Sequence, residues 1–174
     1  MLKLKCNDES LYPIFTKLFE QKNLVNNAKS DSYYAFINIL VNKSNIILEA
    51  DGKKINLSLP ININNFYKEI LIILSDIKLS IHKLDYFPYQ RFLLKENKKS
   101  FLSDIQNTII SSLIISKEGI NKEVLYKFIW RKDKVIAINK LDTHLSNLKN
   151  QLKKDLNVNI NFQSKDKFLR LLIN

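Results

Sequence analysis

The sequence predicts an α+β chain in two parts, a small α/β part over residues 1–82 and a part over residues 83–174 made of strands, three helices and a terminal hairpin. Two observations carry this. Apolar residues switch along the chain between short alternating runs and helical spacing. Charge also divides unevenly, with 10 basic and 8 acidic side chains in residues 1–80 against 18 and 9 in residues 81–174.

Taken in order, residues 2–6 alternate Leu-Lys-Leu-Lys-Cys as a short strand. Residues 9–22 read as a helix with Leu11, Ile14, Phe15, Leu18 and Phe19 on one face, and Pro13 fits its first turn. Ser32 to Val41 reads as a weaker helix. Ile46 to Leu48 is a short buried strand, Asp51-Gly52 a turn, and Lys54 to Leu59 the returning strand, which Pro60 ends. Asn64 or Asn65 is expected to cap an apolar helix from Phe66 to about Ile77.

The second part opens with an aromatic-rich β stretch, Leu84 to Leu94, which Pro88 limits to an edge or a break. Glu96 to Lys99 is a turn and Ser100 to Leu102 a return strand. Ser103-x-x-Gln106 is a capping box that opens a helix through Ile115, and Gly119 marks a stop. Asn121 caps a second helix, Lys122 to Trp130. A polar loop, Arg131 to Ile138, leads to a third helix from Asn139 to about Leu156. Val158, Ile160, Phe162 and Phe168 then alternate as a hairpin around Ser164-Lys165-Asp166-Lys167. Strands, three helices and a hairpin in this order are the winged form of helix-turn-helix.

Composition removes several function classes. No apolar run approaches the about 20 residues of a membrane-spanning helix. The opening Met-Leu-Lys-Leu-Lys-Cys lacks a signal-peptide core, so a cytoplasmic protein is expected. A single cysteine, Cys6, excludes a disulfide within the chain and a cysteine-based zinc site. Two glycines, Gly52 and Gly119, exclude a P-loop and a dinucleotide fingerprint. No nucleophile–base set or metal cluster stands out, so neither catalysis nor a cofactor is expected. His82, Trp130 and Cys6 read as linker and core residues.

The net charge is +11, with 25 lysines among 28 basic residues. Lys, Ile and Asn supply 70 of the 174 residues, a bias that an AT-rich genome explains by itself. Codon bias acts on both halves alike, however, and the excess charge sits in the second. That asymmetry points to a polyanion, nucleic acid first.

The third helix is the candidate interface. Leu141, Leu145, Leu148 and Leu152 fall within about 60° of one another and form a buried stripe. The opposite face holds Asn139, Thr143, Ser146, Asn147, Asn150 and Lys154, with no acid and no large apolar group. Amides and hydroxyls of this kind read base edges. Lys140, Lys149 and Lys153 flank them at positions suited to phosphates. A solvated face in an Asn-rich chain is the competing reading, and the pattern by itself leaves the two even.

A resemblance tips that balance. Trp130, Asp133 and then Leu141-Asp142-x-His144-Leu145-Ser146-x-Leu148-Lys149-x-x-Leu152 resemble the effector domain of OmpR/PhoB-type response regulators, whose recognition helix reads V-D-x-H-I-S-x-L-R-x-x-L. Leu102-Ser103-x-x-Gln106 is similar to that family's L-T-x-x-E, and Asn121-Lys122-Glu123-x-Leu125 to its V-S-R-E-x-L. The likeness spans residues 84–172. It implies a winged-helix regulator that binds duplex DNA as a homodimer, with His144 on phosphate, Lys165 and Lys167 on the wing, and the 131–138 loop toward RNA polymerase. Asn139, Asn147 and Lys149 stand where arginines are usual, and Ser164 to Phe168 replaces R-G-x-G-Y. Without arginine the bidentate guanine contact goes, which implies a sequence preference that is either weak or shifted toward A·T.

The first part resembles a shortened receiver domain. Asp8-Glu9 stands where a receiver has its metal-binding acids, Glu49 where it has the phosphoacceptor aspartate, and Leu59 where it has a lysine. Switching by aspartyl phosphorylation is therefore not expected, and Asp8 and Glu9 read more simply as acids opening a helix. A dimerisation role suits this part. The alternative for the whole chain is a protein-interaction module on a winged helix that has lost DNA binding.

Overall fold

The computed structural model describes residues 2–21, 35–116 and 118–173, and the chain divides into two compact units, Met1–Ile77 and Lys78–Asn174.

In the first unit, β1 (Leu2–Cys6), α1 (Tyr12–Gln21), β2 (Ala35–Val41), β3 (Asn45–Ala50), β4 (Lys53–Ser58) and α2 (Ile63–Ser75) follow in order. The strands form one sheet in the order β1-β2-β3-β4, with β1 and β2 parallel and the other pairs antiparallel. Period-2 alternation buries Leu2, Leu4, Ala35, Ile37, Ile39, Ile46, Leu48, Ala50 and Leu57. The two helices meet where the Phe15 and Phe66 rings stack at 5.1 Å.

Three expectations change here. The helix read over Ser32–Val41 is a strand where it is described, over Ala35–Val41, and residues 32–34 lie outside the described residues. The run Ala-Phe-Ile-Asn-Ile-Leu-Val is rich in β-branched and aromatic side chains, and pairing with β1 buries its alternate members. The α2 cap is Asn62, whose side chain accepts from Asn64 N–H at 2.7 Å, rather than Asn64 or Asn65. Finally, the receiver-like order holds only for β1-α1-β2. A parallel crossover needs a dozen or more residues. The Asn42–Asn45 turn, closed by a 2.9 Å backbone bond, and the Asp51-Gly52 turn leave no such length, so β2, β3 and β4 form a meander. Asp51 and Gly52 both have positive φ, as a two-residue hairpin turn requires.

The second unit begins at Lys78 rather than after His82, because β5 (Leu79–Ile81) pairs with β6 (Leu84–Phe87). With β7 (Phe92–Lys95) and β8 (Lys98–Phe101) these form a four-stranded antiparallel sheet. The β stretch expected over 84–94, with an edge or a break at Pro88, is two strands interrupted from Pro88 to Arg91, whose φ is +56°. The return strand starts at Lys98, inside the turn expected there.

Then come α3 (Asp104–Ile115), β9 (Ile120–Asn121), α4 (Lys122–Ile129), α5 (Ile138–Leu156), β10 (Ile160–Lys165) and β11 (Phe168–Ile173). The capping box is present: Gln106 N–H donates to Ser103 Oγ at 3.3 Å, and Ser103 N–H to Gln106 Oε1 at 2.8 Å. Asn121 caps α4 through bonds from the Glu123 and Val124 N–H groups. β11 lies between β10 and β9 in a second, three-stranded sheet. Gly119, at φ +96°, is required beside that sheet, since a Cβ there would come within 2.7 Å of Arg170 Cγ.

One core serves this unit. Tyr86, Leu93, Ile109, Leu125, Tyr126, Leu141, Leu148 and Leu152 pack together across the sheet and three helices. Polar groups inside it are paired. Tyr86 Oη contacts Asn107 Oδ1 at 2.7 Å and Ser111 Oγ at 2.6 Å. Gln151 Nε2 donates to Phe101 O and to Ser100 Oγ, while Ser100 Oγ donates to Asp155 at 2.7 Å, so polar bonds as well as leucines fix α5 to β8.

Candidate nucleic-acid interface

The leucine stripe sets which way α5 faces. Leu141, Leu145, Leu148, Leu152 and Leu156 are all buried. At 3.6 residues per turn the remaining positions are forced outward. Asn139, Lys140, Thr143, Ser146, Asn147, Lys149, Asn150, Lys153 and Lys154 are all exposed, and His144 is half-buried. The helix ends at Asn157, whose left-handed conformation (φ +51°) lets its N–H reach the Leu152 and Lys153 carbonyls.

The exposed residues fall into two groups. Some already have a partner in the chain. Lys140 Nζ lies 3.0 Å from Asp133 Oδ2 and 4.5 Å from the Trp130 ring centre. Thr143 Oγ1 donates to Asn139 O at 2.8 Å. The His144 and Trp130 rings are 5.5 Å apart. By contrast, the side chains of Asn139, Ser146, Asn147, Lys149, Asn150, Lys153 and Lys154 make no hydrogen bond or ion pair among the described residues. They are available to an outside partner without first breaking a bond. Asp142, an acid of α5 itself, pairs with Lys122 at 2.8 Å.

The hairpin adds Lys165 and Lys167, both exposed. Asp166 and Lys167 form its turn with φ of +50° and +67°. A left-handed lysine costs of order 1 kcal/mol, and the turn is held by Lys122 N–H donating to Lys167 O at 2.9 Å. Lys167 Nζ is 3.7 Å from Glu123, a loose exposed pair that offers little resistance to a better anion.

The 131–137 loop is anchored from below. Asp133 accepts from Tyr126 Oη at 2.7 Å and from Lys140 Nζ at 3.0 Å, and these two bonds hold its carboxyl below the usual value. The Tyr126 hydroxyl is raised, chiefly because it donates to that carboxylate. The sequence offered Asp133 as part of the family-like pattern but not as an anchor, since its partners lie seven residues away on either side. A depressed carboxyl favours the folded state above its unfolded pKa of about 3.9 and loses that effect as pH falls through the lower folded value. Below about pH 4, fluorescence of Trp130, the single tryptophan, should therefore report release of the loop. Asp133→Asn should remove that transition; an unchanged acid profile would refute the anchor.

In the first unit the proposed acid set does not assemble. Asp8 Oδ1 accepts from Ser10 Oγ at 2.6 Å and from the Leu11 and Ser10 N–H groups at 3.1 and 2.9 Å, and these bonds, the Ser10 hydroxyl first, lower its carboxyl. Glu49 lies mid-sheet opposite Asn38 and pairs with Lys54 at 2.7 Å. Among the described residues no cluster of three His, Cys, Asp or Glu could hold a metal ion.

No family model matches the chain, and no curated protein matches it. One similar solved structure is described as belonging to a novel family of redox sensors in the streptococci evolved from two-component response regulators. Its TM-score is 0.42 at 13% identity, over 99% of this chain and 66% of that one, so the chain spans just under two thirds of its length. Among the described residues no helix is long and apolar enough to cross a membrane.

Proposed function

We propose that residues 78–174 form a winged-helix module that binds duplex DNA, with α5 as the recognition helix and the β10–β11 hairpin as the wing, and that the chain is a transcriptional regulator. The observation that carries this reading is the outer face of α5. It is a continuous exposed surface of amides, hydroxyls and lysines, most of them unbonded within the chain, held outward by a buried leucine stripe. A helix of this width fits the major groove, and the lysines beside it meet phosphates. Lys165 and Lys167 on the hairpin extend the positive surface.

The reading includes a homodimer joined through the first unit, and the 131–138 loop as the face turned toward RNA polymerase. Val135 there is 77% exposed while Asp133 fixes the loop at its base. Aspartyl phosphorylation has no place in it: Asp8 is occupied as a cap and Glu49 in an ion pair. No catalytic step and no cofactor are proposed.

Mobility of a labelled random duplex with the full chain at low salt tests the module. Retardation is expected. A duplex that migrates unchanged refutes DNA binding and leaves a protein partner for the same face.

A further inference from the structure

We propose that α5 reads adenine through Asn147 and Asn150, so that the preferred partner is A·T-rich duplex contacted in the major groove. This rests on the duplex-binding reading and goes beyond it by naming the base chemistry.

Asn147 and Asn150 are exposed, unbonded among the described residues, and lie in the middle turns of the helix, with Lys149 and Lys153 to one side of them. Three residues of α-helix rise about 4.5 Å, somewhat more than one base-pair step of 3.4 Å, so two amides at this spacing address neighbouring pairs. An asparagine amide matches adenine N6 and N7 bidentately, which no other base offers in the major groove.

Neighbouring residues point the same way. The Thr143 O–H is already donated to the Asn139 carbonyl, which leaves the hydroxyl oxygen only as an acceptor and the methyl free to pack, and a methyl suits thymine. Guanine has few readers on this face. α5 contains no arginine, and Lys140, the lysine nearest the start of the helix, is held by Asp133 and the Trp130 ring. Lys149 and Lys153 lie at the edge of the amide face, where phosphates run, and Lys154 belongs to the last turn.

The test is selection of bound fragments from a random duplex library with the full chain, followed by affinity for the selected duplex carrying 7-deaza-adenine at single positions. That base keeps Watson–Crick pairing and the minor groove and removes only the N7 acceptor. The expected result is enrichment of A·T pairs at two adjacent positions. A single 7-deaza substitution there should weaken binding by roughly 5- to 150-fold, and Asn147→Ala or Asn150→Ala should make the matching position indifferent to it. Both variants place a strong helix former on an exposed face, so the fold is retained. Duplex binding without A·T enrichment, or enrichment insensitive to 7-deaza-adenine, overturns the adenine assignment and leaves the duplex reading intact. Failure to bind any duplex overturns both.

Discussion

Raising salt from 50 to 200 mM should weaken duplex binding by about 250- to 1,000-fold. Each phosphate neutralised by a lysine releases condensed counterions, which contributes about −0.9 to the log–log slope. Lys149, Lys153, Lys154 and Lys165 have no ion-pair partner among the described residues, and Lys167 has only a loose one. Four to six contacts give a slope of roughly −4 to −5. Replacing Lys149, Lys153 and Lys154 together by Ala should lower its magnitude by two to three units, because all three leave the surface without disturbing a bond. Titrations at several salt concentrations read this directly. A slope near zero, or a triple variant with the slope of the parent, would sink the electrostatic part of the reading.

The largest stability effect is expected at Leu148. Its side chain is fully buried at the centre of the stripe that joins α5 to the rest of the second unit. Leu148→Ala removes buried methyl groups and leaves a cavity, which costs about 2–5 kcal/mol. For a unit of this size each kcal/mol lowers the melting temperature by roughly 4–8 °C. The loss should fall on the second unit, so near-ultraviolet signals of Trp130 should melt early. Asn147→Ala, one residue away but outside the core, should leave melting within about 0.5 kcal/mol of the parent. If the two variants melt alike, α5 is not oriented as described.

Much of the second unit could be read from the sequence because its signals are local. Ser103 with Gln106, Asn121 and the leucine spacing each specify one helix end or one helix face within a few residues. The exposed side of α5 was legible for the same reason, since a stripe of leucines dictates its opposite. Pairings between distant segments were not legible. Ala35–Val41 becomes a strand because β1 lies beside it, and Leu79–Ile81 because β6 folds back on it. Likewise, Lys140 and Thr143 carry the right chemistry for DNA in the sequence, but only the folded chain reveals that Asp133 and the Asn139 carbonyl already engage them. The Asp51-Gly52 turn and its returning strand were legible, but the resemblance to a receiver gave no sign that β2 and β3 are joined by a short turn and run antiparallel.

Lys122 has a consequence for how the two candidate DNA-contacting parts are spaced. Its main chain holds the hairpin turn at Lys167, and its side chain holds α5 at Asp142. One residue thus serves as the pivot of a pair of callipers whose jaws are the helix and the hairpin. The gap between the jaws is set inside the protein before any partner arrives. If the proposed duplex binding holds, a duplex would have to present groove and backbone at that separation, and the width of the partner would count as well as its chemistry.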